Sequence, residues 1–398
     1  MKFIMKEDKI YQSFSVLKKY CEDNEFKGYD PYDGLNSKLF KAIPFASKNR
    51  LIRLVWIQFF KRSPINLRKF VGIKHEYNPK ALGLFLSAYC ILYKQNNQPS
   101  ELKQIQFFID KIESYKSTGY SGDCWGYNFD WESRAFFQPK FMPTIVASTF
   151  IANAILDAYE ITKDEKLLQS ARSTCDFILN DLNRTIENEN SFAFSYSPID
   201  KSVVYNASLL GARLMARVYF FTKEKMLFDT AKSVMNYCCN CQKEDGSWSY
   251  GALPFHQWID NFHTGYNLEC IADYMKYTDD NSYSKQLSSG FDYYIKTFFT
   301  ETGIAKYYSN SIYPIDIHAP SQLVITLEKL NKLNEHKALL DNVLNRTIDK
   351  MQSKKGYFYY QINKYFTSKI PYMRWSQAWI FLSFIVYLNH FPKKSNQS

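Results

Sequence analysis

Thr162-Lys163-Asp164-Glu165-Lys166-Leu167-Leu168 and Thr222-Lys223-Glu224-Lys225-Met226-Leu227-Phe228 lie sixty residues apart and carry one pattern. Each closes an apolar stretch and opens an amphipathic one, with acidic residues in the new first turn, where negative charge suits the helix dipole. Thr278-Asp279-Asp280 and Asn334-Glu335-His336 hold equivalent places further on. Outward from these junctions, six apolar helical stretches begin near Ala81, Pro143, Val203, His263, His318 and Arg374, at spacings of 62, 60, 60, 55 and 56 residues. A fixed period of this length marks a stacked repeat architecture. Residues 143–162 and 375–387 are apolar nearly all round, as helices buried on both sides must be, whereas 165–182, 224–241, 282–299 and 335–351 each keep a charged face.

Each unit ends in a turn residue followed by bulky side chains, as in Ser191-Phe192-Ala193-Phe194 and Gly246-Ser247-Trp248-Ser249-Tyr250, which predicts a short strand or hairpin. Six inner helices with outer companions make an all-α, (α/α)6 toroid over residues 37–391; an open solenoid is the alternative. In this scheme residues 37–62, with Leu51, Leu54, Val55, Phe59 and Phe60, supply the outer partner of the first inner helix. Residues 1–36 form a helical extension on the stripe Ile10, Phe14 and Leu17, and 392–398 a flexible tail.

Composition agrees. Hydrophobic residues make up 46% of the 398 and aromatics 18%, which is ample for a core and excludes disorder, and 14 Gly with 13 Pro are too few for a turn-dense β protein. The formal charge of +11 favours anionic partners, but the basic residues read as scattered and no run resembles a nucleic-acid arm. Among eight cysteines only Cys238 and Cys241 are paired in spacing, and no second pair or nearby His completes a zinc site, so neither metal nor cofactor is expected. Charge interrupts the first nine residues before a signal peptide can form, and the apolar run 378–388 is too short to span a bilayer. The expected location is cytoplasmic.

Polar and aromatic groups gather where the inner helices begin. Trp125, Tyr127, Asp130, Trp131 and Arg134 precede the second; Asn206 opens the third; His256, Trp258, Asp260, His263 and Tyr266 surround the start of the fourth. Asp316, His318 and Gln322 mark the fifth, and Arg374 and Trp375 the sixth. Asp260 and Asp316 are also placed to cap their helices, and Asp130 to hold its own loop. Asp130 between Phe129 and Trp131 is the leading acid/base candidate, since an apolar setting raises a carboxyl pKa. Arg374 stands at a helix start, where the dipole does not favour a cation, so it requires a partner such as Asp130 or Asp316, or a substrate carboxylate.

With these aromatic-rich mouths, the repeat resembles the six-hairpin (α/α)6 group of carbohydrate-active proteins, which includes unsaturated-glucuronyl hydrolases, sugar 2-epimerases and toroidal polysaccharide lyase domains. Cys124-Trp125-Gly126-Tyr127-Asn128-Phe129-Asp130-Trp131 and Arg374-Trp375-Ser376-Gln377-Ala378-Trp379 are similar to segments of uncharacterised bacterial proteins associated with surface-polysaccharide production. The resemblance implies a saccharide bound in a groove at the inner-helix N-termini. No D-x-D-D run of the terpene-cyclase kind is present. A glycoside hydrolase is the first reading, and two alternatives also fit. In a glycoside hydrolase, Asp130 and Asp260 would face each other across the sugar, roughly 5–9.5 Å apart. In a lyase or uronate epimerase, Tyr266 or His263 would remove the proton beside a carboxylate that Asn206 and Arg374 neutralise. A non-catalytic glycan-binding scaffold would use the Trp surfaces alone. The discriminating feature is whether the Asp side chains reach the groove or turn into caps.

Overall fold

In the computed structural model, residues 6–133 and 136–392 are described; Arg134 and, except for Pro392, the tail expected at 392–398 lie outside them. In chain order the helices are α1 (Lys6–Asp23), α2 (Lys38–Ala42), α3 (Arg50–Arg62), α4 (Pro79–Asn96), α5 (Pro99–Ser114), α6 (Ile145–Thr162) and α7 (Glu165–Asp181). There follow α8 (Tyr205–Thr222), α9 (Lys225–Asn240), α10 (Asn261–Thr278), α11 (Ser284–Phe298), α12 (His318–Lys329), α13 (Lys337–Met351) and α14 (Trp379–His390). A π-helical turn, Met373–Ala378, leads into α14.

The even-numbered helices from α4 to α14 form the inner ring. Each packs on the next, and α14 packs back on α4, so the ring closes and the open solenoid is excluded. Their burial follows from their composition: α6 hides residues on every side, from Ile145 and Val146 through Ala158. It is long and apolar enough to cross a membrane, but 67% of it is buried in the ring. Inner helices pass to outer ones through a left-handed C-cap residue at Asn97, Lys163, Lys223 and Asp279, with φ between 51° and 60°, and after α12 through left-handed Asn331, one residue past the C-cap Leu330. This recurrent cap ends the inner helix by returning its N–H to the last turn. Asp164 then caps α7 by accepting from the N–H of Lys166. The hairpin expected around Ser191–Phe194 is present, paired with Arg184–Asn188; the signature at 246–250 instead forms a turn, with Lys243 N–H donating to the Ser247 carbonyl, and the last two signatures form single bridges, Phe299 with Ala305 and Gln352 with Phe358.

The outer layer departs from expectation at both ends of the chain. The outer partner of α4 is α5, not residues 37–62. The N-terminal helix is no appendage: α1 packs on α14 and α13, becoming the sixth outer helix. Its buried stripe Ile10, Phe14, Leu17 and Cys21 faces the ring, and Phe14 meets Phe381 edge-on with centroids 5.1 Å apart. Gly356 shows the fit: it holds φ +94°, and a Cβ there would come within 2.4 Å of the Val16 carbonyl. Displaced from the outer layer, α3 packs on the 33–36 turn and on Trp131–Glu132, over the end of the ring where the inner helices begin.

Candidate active site

At that end a cavity of about 530 Å³ opens, within the range of roughly 300–1,000 Å³ usual for small-molecule sites. All six inner elements supply a wall from their first turns: Lys80, Val146, Asn206, His263, His318 and Arg374. Helix N-termini carry partial positive charge, so their convergence favours an anion.

On α10, Asp260 is a cap with a second task. One oxygen accepts from the backbone N–H of His263 at 3.0 Å; the other accepts from Trp258 Nε1 at 3.0 Å and meets His263 Nδ1 at 2.7 Å. The carboxylate itself is buried behind the cavity wall, whereas the His263 ring lines it. With Nδ1–H donated to Asp260, the neutral ring keeps its free lone pair on Nε2.

One turn on, the Tyr266 hydroxyl lies 2.9 Å from His318 Nε2. His318 stacks on Phe262 with centroids 4.4 Å apart and planes 8° off parallel, and its Nδ1 is buried without a protein partner. Burial first, with the basic neighbours Lys80, His263 and Arg374 adding to it, holds the imidazole well below its ordinary pKa, so it is neutral. Burial holds the Tyr266 phenol well above its own. The pair therefore shares one phenolic proton.

Arg374 grips Asp30 bidentately at 2.5 and 2.8 Å and lies over the Tyr127 ring, 5.0 Å from its centroid. Its partner is thus neither Asp130 nor Asp316. Lys80 is only 4% exposed, and its Nζ sits 3.9 Å from the Phe150 centroid, with Tyr266 and Trp379 at 5.5 and 5.3 Å. No carboxylate lies within ion-pair distance of it among the described residues, and burial holds its pKa well below the ordinary value. Asn206 Nδ2, also lining the cavity, is buried without a protein acceptor.

Of the residues expected at the mouth, Tyr127, Trp131, Asn206, His256, Trp258, His263, Tyr266, His318, Arg374 and Trp375 do line the cavity. Trp125 does not: it is fully buried in the core, its Nε1 donating to the Ile112 carbonyl at 2.8 Å. Asp130 turns into its own loop and accepts from the N–H of Lys140 at 2.7 Å. Asp316 is buried behind Trp375, whose Nε1 lies 3.0 Å away, and accepts from the N–H of His318; burial pushes its carboxyl up to about 6. Gln322 lies fully buried outside the cavity lining, bonded to Glu269 and Thr326. The expected carboxylate pair across the groove is therefore not formed. Among the described lining residues the only carboxylate is Glu132, held by Arg53 at 2.6 Å.

Lys80 and Asp30 were not among the expected site residues. Lys80 follows Asn78-Pro79 in the first turn of the first inner helix, where a cation is as anomalous as Arg374, so the same signal singles it out. Asp30 carries no such signal, because only ring closure brings it to Arg374.

No family model matches the sequence, and no curated protein matches it. Solved structures share the fold. Cellobiose 2-epimerase from Bacillus thermoamylovorans matches with a TM-score of 0.61 at 13% identity, over 78% of this chain and 87% of that one. The family 76 α-mannanase of Bacteroides thetaiotaomicron gives 0.60 at 11%, over 79% and 88%. An unsaturated glucuronyl hydrolase specific for heparin gives 0.63 at 11%, over 98% of both chains. This chain has the six-hairpin (α/α)6 toroid fold of these carbohydrate-active enzymes.

Proposed function

We propose that this protein is a carbohydrate-active enzyme that works by His/Tyr acid–base chemistry on a sugar bearing a carboxylate, as an epimerase or lyase. The observation that carries the reading is the make-up of the cavity: His263 backed by Asp260, Tyr266 backed by His318, and the cations Lys80 and Arg374, without a facing carboxylate pair. Two-carboxylate hydrolysis needs an acid and a base or nucleophile that both reach the glycosidic bond. Here the sugar carboxylate would rest against Lys80, Arg374 and the free amide of Asn206, which lowers the cost of forming a carbanion beside it. Nε2 of His263 takes the proton from that carbon. The phenol of Tyr266 then gives a proton, either to the departing glycosidic oxygen or to the opposite face of the carbon. The fold neighbours support sugar chemistry, because they include an epimerase and a glucuronyl hydrolase.

Incubation with a panel of uronate-containing oligosaccharides in deuterium oxide tests the proposal. Lyase action gives an ultraviolet-absorbing unsaturated product, and epimerase action gives deuterium at the carbon beside the carboxylate. New reducing ends with neither signal would make the protein a hydrolase and sink the reading. Binding with no bond change would favour the scaffold.

A further inference from the structure

Residues 34–75 contain ten Lys and Arg and no Asp or Glu, so this stretch carries ten of the chain's eleven net positive charges. The remainder is nearly balanced, at 40 basic against 39 acidic residues. The positive charge is therefore concentrated rather than scattered.

The same stretch holds nine of the twenty-one exposed large hydrophobic residues recorded among the described residues. Phe45 and Phe70, on loops on either side of α3, are 78% and 85% exposed. Along α3, Leu51, Val55 and Phe59 are exposed, while Leu54, Gln58 and Lys61 turn to the cavity wall. Lys38, Lys41, Lys48, Arg50, Arg62, Lys69 and Lys74 are exposed among them.

Exposed apolar side chains concentrated in one segment mark it as a candidate interaction site. A second copy of the chain is a poor occupant, because two faces of like charge would repel. Long apolar side chains interleaved with Lys and Arg, without acids, are the make-up of a segment that lies in the plane of a bilayer interface. Anionic headgroups neutralise the cations while the acyl boundary accepts the Phe, Leu and Val side chains. We propose that residues 38–74 dock the protein on an anionic membrane surface, with α3 between the bilayer and the cavity. This docking does not depend on the chemistry assigned to the cavity.

The test is flotation of the full chain with vesicles of phosphatidylcholine containing about one-third phosphatidylglycerol, against phosphatidylcholine alone. The expected result is co-flotation with the anionic vesicles only, released by salt. Lys41→Glu/Lys48→Glu should lower partitioning about tenfold or more, since one basic residue near the surface accounts for about a fivefold change, and Phe45→Ser/Phe70→Ser should do so by withdrawing two apolar rings from the acyl boundary. Circular dichroism and the thermal midpoint of both variants should match the wild type, because neither pair belongs to the core. No flotation at low salt would overturn the proposal, as would variants that float like the wild type. Equal affinity for polyglutamate without vesicle binding would overturn it too, and assign the face to an acidic protein.

Discussion

Replacing Lys80 by Met separates the stability and the binding roles assigned to the cavity floor. The ammonium is buried on Phe150, Tyr266 and Trp379 with no counter-ion in reach among the described residues. Two effects compete. Cation–π contact with desolvated rings is worth about 2 kcal/mol. Removing an ammonium from water costs several kcal/mol even after relaxation. The lowered pKa says that desolvation wins. Met fills similar volume without the charge, so Lys80→Met should stabilise the fold by roughly 1–3 kcal/mol at neutral pH. The sign has a pH signature. Between the depressed folded value and the ordinary 10.5, the unfolded chain holds more protons, so wild-type stability rises with pH and the advantage of Lys80→Met fades towards 10.5. Binding should change the other way. A charge-assisted hydrogen bond contributes about 1.5–3 kcal/mol, so the affinity for glucuronate should fall roughly ten- to a hundredfold while that for glucose is unchanged. Urea denaturation across pH and calorimetric titration with the two sugars read both effects. A Lys80→Met protein that is less stable than wild type, or that keeps wild-type affinity for glucuronate, would refute the argument.

Other perturbations probe neighbouring parts of the same site. Asp260→Asn replaces the carboxylate that orients His263 by a neutral amide with one acceptor oxygen, and kcat on any uronate substrate should drop about a hundredfold or more with KM little changed. Arg374→Lys keeps the charge but loses the two-pronged grip on Asp30; a loss of about 1.5–3 kcal/mol in urea is expected, and no loss would show that a single contact suffices. Glu269 is buried and pushed up to about 7, first by burial, so its ionisation destabilises the fold as pH climbs from 4.5 to 7; Glu269→Gln should have the higher Tm above pH 7, with that advantage shrinking towards 4.5. Gly356→Ala forces a Cβ against the Val16 carbonyl at φ +94°, and faster hydrogen exchange confined to α1 and its contacts on α13 and α14 is the expected readout.

What the sequence discloses about the fold depends on the range of the interaction. The inner helices are legible because burial on both sides leaves an apolar run every sixty residues or so, and the left-handed caps at Lys163 and Lys223 recur at the same period. The role of α1 is not legible in this way. Its stripe declares an amphipathic helix, but the surface it covers belongs to α14, at the other end of the chain. The Arg374–Asp30 pair, 344 residues apart, is hidden for the same reason. By contrast, the charge of residues 34–75 is countable directly, and becomes visible only when the total is divided by segment.

Capping and function are not alternatives for the aspartates at the mouth. A carboxylate has two oxygens and about four acceptor positions, and one backbone N–H uses only one of them. Asp260 spends one on the N–H of His263 and directs another at the ring of that residue. Asp316 repeats the arrangement: it accepts from the N–H of His318, from Gln361, and from the indole of Trp375 on the cavity wall. In both cases the start of an inner helix and a wall side chain are fixed by one anion, so the helix cannot begin in another register without moving the wall. Aspartates that cap and thereby aim a neighbour explain how carboxylates can crowd the mouth in sequence while almost none face the cavity.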